Sequence, residues 1–529
     1  MSNPNTERIV VKDKDIDETR LSFEEQSDPD SDEVLEYDAH PALRKEIWGW
    51  YAYSWAIDGW TAASSSVFMP LIISTMAYQG GRNVADPSKP CNLVQPCMVK
   101  LGTSDVSPSS YTLYVTAIAV LIQAIIYIQL GAVADHSAYG KTFMLAFAYI
   151  GAISIILWVT LIANPGAYWG AGLLFVLGNI FYGSSYVFYA SYLPKLARNT
   201  PSVLEETDPA ERAKKLTLQT SNLSISAYVA GYVGGFIQMG LSIGVLYAMK
   251  SSFKGLLIGC VIGGLWWGLF TIVPHIYVTR RRGPPLPKGE NYLTFPWKRL
   301  SKTMRRVSHL SQLFQFLLMW LFLSDGLYTI LKVSVLFAQT VVQASSLVIL
   351  TGALVTMAVG GPTLFFWKWI ERRFSIKPKN MLILMSVLIC FIPVYILVGF
   401  SPNVAGGFKH PNEYYLLNVW FGLTFPGAVS YARSTFAEII PIGRENEMYS
   451  MFLITQGGGG WIGPLITGVI SDQTGNMRYC DIFVLACILL PVIWLYFIDI
   501  EKAKKQALAA AKFEAKEMDV KRTTDDQSS

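Results

Sequence analysis

The stretch from Leu321 to Lys332, LFLSDGLYTILK, sets an acid, a glycine and a base inside a run that is otherwise apolar from about Leu313 to Val342. Such a run is long enough to cross a bilayer, which takes about 20 residues. A carboxylate within it costs several kcal/mol unless it faces protein or trapped water, so Asp325 is the first functional candidate. The same wording occurs earlier, where WAIDGWT from Trp55 to Thr61 places Asp58 and Gly59 in an apolar segment of similar length. Aligning Asp58 with Asp325 pairs what would be the first helix of each half in a chain of two six-helix bundles. That is the pattern of a transporter whose site lies at the junction of two repeats near the bilayer midplane.

Composition agrees. Of 529 residues, 52% are hydrophobic and 15% charged, and the mean hydropathy is +0.35, too apolar for a soluble globular chain. The expected class is an all-α polytopic membrane protein. A net charge of +5 does not point to nucleic acid, because the basic residues sit in short loops rather than on one patch. No nucleic-acid partner is expected. The first 40 residues lack a basic region followed by an apolar core, and read as a disordered acidic cytosolic tail.

Apolar runs begin near Trp48, Thr112, Thr142, Tyr168, Thr217 and Gly255, and six more near Ser311, Ser345, Asn380, Glu413, Glu447 and Arg478, the last ending near Ile500. They predict twelve transmembrane helices in two six-helix bundles, residues 41–278 and 311–500, with a basic linker at 279–310 and a tail at 501–529. The later part of the linker, WKRLSKTMRRVSHL, suits a basic amphipathic helix lying on anionic lipids. Lys and Arg also collect at 195–215 and 368–379, on the linker's side when twelve spans are counted. The rule that basic loops stay inside then puts both termini in the cytosol. The loops at 79–110, near Lys250 and at 401–412 go to the other face.

Cys91 and Cys97 share a polar loop, and five intervening residues suffice to close a disulfide ring if that loop faces an oxidising lumen; two free thiols are the other reading. The sequon at Asn222 falls within the fifth span, out of reach of glycosylation. Tyr182, Tyr186 and Tyr189 recur at helical spacing on one face, either packed in the core or offering apolar surface with hydroxyl handles to a small organic solute. Asp325 and Lys332 stand two turns apart on one face and can pair directly or through water. Against a zwitterionic solute, a carboxylate meets the ammonium group and a cation meets the carboxylate. Arg433 and Glu438, near the cytosolic end of the tenth span, read as a gate or as side chains snorkelling to the interface. Glycines crowd the fifth span (Gly231, Gly234, Gly235, Gly240) and the eleventh (Gly457 to Gly460, Gly463), where they permit tight packing, sliding or bending. No catalytic motif, metal spacing or cofactor signature sits in a supporting context. An enzyme is not expected.

At the end of the second span, Gly131-Ala-Val-Ala-Asp135-His136 resembles the Gly-x-x-x-Asp loop of the major facilitator superfamily. There the aspartate latches one conformation; a solvated helix cap is the alternative for Asp135. Gly468-Val-Ile-Ser-Asp472-Gln-Thr-Gly475 has closer spacing but falls on the opposite face, and reads as a helix ending and turn. Beyond these, GWYAYSW (Gly49 to Trp55), AGYVGG (Ala230 to Gly235), SDG (Ser324 to Gly326), ARSTFAEIIPIGRENEMYSMF (Ala432 to Phe452) and GPLITGVISDQTGNMRY (Gly463 to Tyr479) resemble the fungal autophagy-related vacuolar amino-acid exporters, a branch of that superfamily. The resemblance spans about Trp48 to Ile500. It implies a vacuole-membrane secondary transporter that releases leucine and other neutral amino acids made by autophagic breakdown, with proton coupling as a further hypothesis. Two rivals stand beside it: a facilitator for another small solute, and an amino-acid-sensing receptor or scaffold that moves nothing.

Overall fold

The structure, a computed structural model, describes residues 40–84, 91, 97–136, 139–281, 286, 290–440 and 445–509. The expected acidic tail and the last residues of the carboxy-terminal tail lie outside the described residues. In lipid, a segment must satisfy its backbone polar groups internally, so long apolar runs become helices. In chain order the helices are α1 Arg44–Gly80, α2 Pro108–His136, α3 Gly140–Ile162, α4 Tyr168–Arg198, α5 Pro209–Ala248, α6 Phe253–Tyr277, the linker helix α7 Phe295–His309, α8 Ser311–Thr340, α9 Ser346–Phe374, α10 Pro378–Val398, α11 Glu413–Ala437, α12 Glu445–Gly458, α13 Ile462–Thr474 and α14 Arg478–Phe497.

Among the described residues, ten of these, all but α7, α11, α12 and α13, are long and apolar enough to cross a membrane. The two remaining expected spans differ for identifiable reasons. α11 is a continuous helix diluted by Arg433, Asn418 and several hydroxyl residues. The eleventh span is split at Gly459-Gly460-Trp461 into α12 and α13, because glycine weakens a helix interior. α1 is also irregular: directly after Asp58 and Gly59 it widens into a π-helical stretch, Trp60–Phe68, a deviation frequent at functional sites.

α1 packs along α5 and against α6, α4 lies between α2 and α3, α11 between α9 and α10, and α8 against α14. Across these groups, α13 lies against α2. One face of the molecule gathers the linker helix and the basic loops. There Ala42 N donates to Asn199 O at 2.7 Å, Lys195 Nζ to Ala134 O at 3.2 Å, and Trp297 Nε1 on α7 to Gln129 Oε1 on α2 at 3.1 Å. The opposite face carries a small antiparallel sheet, β1 Arg82–Asn83, β2 Cys97–Leu101 and β3 Ser104–Val106. Cys91 and Cys97 are joined as a disulfide there, with Cα atoms 5.7 Å apart. A hydrogen bond from Lys100 Nζ holds the Asp105 carboxyl below its ordinary pKa on this sheet.

At the linker face a buried ion pair fixes the entry of α1 to the exit of α6. Arg281 donates from Nη2 to Glu46 Oε2 at 2.7 Å and from Nε to Oε1 at 2.9 Å, and Thr279 Oγ1 donates to the same carboxylate. Glu46 and Arg281 are 1% and 2% exposed, so removing one partner strands the other charge. Arg281→Ala is expected to destabilise the protein by about 3–5 kcal/mol, read as a fall in melting temperature in detergent. An unchanged melting temperature would show the pair to be dispensable.

Candidate solute site

Both sequence-marked acids meet a glycine on a neighbouring helix. Asp58 on α1 lies on Gly231 of α5, where a Cβ would collide with the carboxylate. Asp325 on α8 lies beside Gly463 of α13, where a Cβ would sit 3.1 Å from its Oδ2 and collide with Thr329 Oγ1. Each acid thus sits at a close helix approach that only a residue without a side chain permits. Trp55 adds a second such contact through Gly234 and accepts at its carbonyl a hydrogen bond from Trp266 Nε1 at 3.1 Å.

From there the surroundings diverge. Asp325 is 3% exposed, and its Oδ1 accepts from Gly463 N at 3.2 Å. Lys332 Nζ donates to Gly460 O at 3.1 Å. The two side chains do not form the direct pair that their spacing allowed. Instead the carboxylate caps the amino end of α13 and the ammonium group meets a carbonyl just past the carboxy end of α12. Each charge complements the partial charge of the helix end it faces. α8 therefore clamps both sides of the helix break, and the structure does not bring Asp325 and Lys332 to the tyrosines.

Asp58 has different company. Ser54 Oγ donates to its Oδ2 at 2.5 Å, and the same serine interacts with the Tyr189 hydroxyl. Among the described residues no Lys, Arg or His side chain forms an ion pair with Asp58. Tyr182, Tyr186 and Tyr189 form a ring ladder along α4 with successive centroids 5.8 Å apart, and all three lie within electrostatic range of Asp58. The ladder is anchored by Trp60, 5.0 Å from Tyr182, and by Trp50, stacked 4.8 Å from Tyr189. Tyr182 and Tyr186 are only half-buried, so packing does not exhaust their surface.

Opposite this cluster stands Arg433 on α11. Its guanidinium lies 5.3 Å from the ring centroid of Tyr228 on α5 and donates to that hydroxyl at 3.2 Å. Glu438 is engaged elsewhere, by Lys504 at 2.9 Å, so the two residues read together as a gate point to different partners. The side chain of Asp135 lies outside the described residues. Sequence reasoning missed Ser54 and Tyr228, and read Asp472 only as part of a helix ending. Asp472 ends α13 ahead of left-handed Gly475 (φ 64°), as the turn reading expected, but it also accepts from Ser107 N and from Tyr114 Oη, both at 2.9 Å. With Ser110 Oγ on Gly468 O at 3.1 Å and Gln339 Nε2 on Thr75 Oγ1 at 2.9 Å, these bonds join residues of α1 to α2 with residues of α8 to α13 on the hairpin face. The Gly-x-x-x-Asp spacing carried a signal for Asp472; nothing local marks Ser54 or Tyr228.

Cutting the clamp gives a test of its role. Asp325→Ala orphans the Gly463 N–H and is expected to cost about 1–3 kcal/mol, seen as a lower melting temperature. Asp325→Asn keeps an acceptor and should recover most of it. Equal loss in both variants would mean that the charge, not the acceptor, matters.

With this geometry in hand, comparison with known proteins is specific. The family described as "Vacuole effluxer Atg22 like" matches residues 42–508. Autophagy-related protein 22 of Coccidioides immitis is 30% identical over 89% of this chain and 89% of that protein. Autophagy-related protein 22-1 of Aspergillus niger is 28% identical over 90% and 91%. Among solved structures, the inward-open xylose transporter XylE of E. coli superposes with a TM-score of 0.53 at 11% identity, covering 87% of this chain and 99% of that one. A POT family transporter in complex with 5-aminolevulinic acid gives 0.56 at 12%, covering 87% and 98%. The fold is that of the major facilitator transporters, and the chain is a transporter rather than an enzyme. It belongs to the vacuole effluxer Atg22-like family.

Proposed function

We propose that this protein exports leucine and other neutral amino acids from the vacuole lumen to the cytosol after autophagic degradation, with Asp58 receiving the ammonium group of the solute. The observation that carries this reading is an acid that forms no ion pair among the described residues, set beside the half-buried Tyr182 and Tyr186 inside a transporter fold. A carboxylate so placed is costly unless water or a cationic group completes it. Phenol rings beside it suit an apolar solute side chain, and their hydroxyls suit its polar end.

The linker face is the cytosolic one in this proposal, because the basic clusters collect there, and the hairpin with its disulfide faces the lumen. Transport then proceeds by alternating access, the two bundles at 41–278 and 311–500 rocking about the site. The bonds around Asp472 and Gln339 join the halves on the lumenal side, and they are the contacts that opening to the lumen must break. Proton coupling extends the reading: because a protonated Asp58 could not pair with the ammonium group, the proton that leaves the acidic lumen with the solute rides on the second buried acid, Asp325.

Counterflow of labelled leucine into liposomes holding the purified protein tests the substrate. Saturable exchange is expected, and Asp58→Asn should lower it about ten- to a hundredfold, the worth of about 1.5–3 kcal/mol for a charge-assisted hydrogen bond. Failure of leucine alongside exchange of another solute would overturn the assignment. Coupling is read from leucine efflux with an acidic interior against equal pH on both sides. A faster rate under the gradient, with the gradient effect lost in Asp325→Asn, is expected, and equal wild-type rates would remove the coupling.

A further inference from the structure

Two charged groups near the tyrosine cluster lack a charged partner, and they have opposite signs. Asp58 belongs to α1 and Arg433 to α11, in opposite halves of the chain. Among the described residues neither forms an ion pair. Arg433 lies within electrostatic range of Tyr186, Tyr228 and Tyr328, and Tyr186 is also within range of Asp58. Tyr228 stands about one helical turn from Gly231 on α5, and Gly231 is the residue against which the Asp58 carboxylate lies. One turn of α5 therefore links an acid in the first half to a guanidinium in the second. Tyr328 is held in place by Gln456 Nε2, which donates to its hydroxyl at 2.8 Å.

Resting on the amino-acid reading above, we infer that Arg433 is the carboxylate-recognition residue of the solute site, while Asp58 holds the ammonium group at the other end. Its contact with Tyr228 is a weak placeholder, a cation–π approach with one hydrogen bond to a neutral hydroxyl. A carboxylate offers the same guanidinium two parallel charge-assisted bonds, so it displaces the phenol. The solute class follows from this chemistry: free ammonium and free carboxylate on one carbon, with an apolar side chain against the tyrosines. Such a zwitterion completes one charge on each half. Occupancy thereby draws the halves together, and analogues carrying only one of the two charges leave the other half uncompensated.

The test uses the full-length protein in detergent and in liposomes, with three probes: leucine, leucinamide, which keeps the ammonium group but has no carboxylate, and 4-methyl-2-oxopentanoate, which keeps the carboxylate but has no ammonium group. Ligand-induced thermal stabilisation reads binding, and competition against labelled leucine counterflow reads the transport site. In the wild type, leucine is expected to act at concentrations at least about tenfold lower than either analogue, the worth of one charge-assisted pair. Arg433→Gln should bring leucine down to the level of leucinamide and leave the leucinamide response unchanged, which also reports that the variant is folded. Arg433→Lys, keeping the charge but not the bidentate fork, should fall between them.

Loss of leucine and leucinamide responses together in Arg433→Gln, with unliganded stability intact, would make the residue a gate and overturn the inference. So would full retention of the leucine preference. If no amino acid stabilises or exchanges on the wild type, the amino-acid reading itself fails and takes this assignment with it.

Discussion

The architecture depends on acids buried where two helices touch through glycine. Between helices in lipid there is no difference in hydrophobicity to drive association, so close backbone approach and polar contacts do that work. A carboxylate at such a contact gains shelter from lipid and must find donors within reach. Asp58 against Gly231 joins α1 to α5, and Asp325 against Gly463 joins α8 to α13. Distant sequence blocks meet in space here: Trp55, the last residue of GWYAYSW, touches Gly234 of AGYVGG, and Asp325 of SDG touches Gly463.

The two acids nonetheless have different fates, and the reason is the state of the facing helix. α5 runs unbroken for 40 residues, so every backbone N–H near Gly231 is already spent within the helix and Asp58 turns to Ser54 and the tyrosines. α13 begins at Ile462, so Gly463 lies in a first turn whose N–H groups have no helical acceptor. Asp325 takes one of them. One repeated motif thus yields a structural clamp in the second half and, in the first, an acid held by a serine on its own helix.

Polar contacts between the halves are distributed unevenly. On the hairpin face, carboxylate and amide groups of Asp472 and Gln339 are matched to backbone and hydroxyl partners. Away from that face, the crossing at Arg433 and Tyr228 pairs a full charge with a neutral ring. In the first set both Asp472 oxygens and the Gln339 amide N–H are matched, whereas in the second no carboxylate among the described residues meets the guanidinium.

Helix positions, the amphipathic linker helix and the presence of two acids in lipid-spanning runs were legible from residue order alone, because bilayer thickness and backbone hydrogen bonding leave an apolar run few choices. The glycine cluster around Gly457 to Gly460 hinted at bending, and the one-face spacing of Tyr182, Tyr186 and Tyr189 at a shared surface. What the order of residues did not decide was which way each side chain faces and what it meets. Asp58 and Asp325 carry nearly the same local wording, yet one caps a broken helix and the other stands among phenols. Lys332, two turns from Asp325, reaches a carbonyl on α12 instead. Arg433 finds Tyr228 across a separation of 205 residues. Such partners are set by helix rotation and by where a distant helix breaks, and both are fixed only when the helices pack against one another.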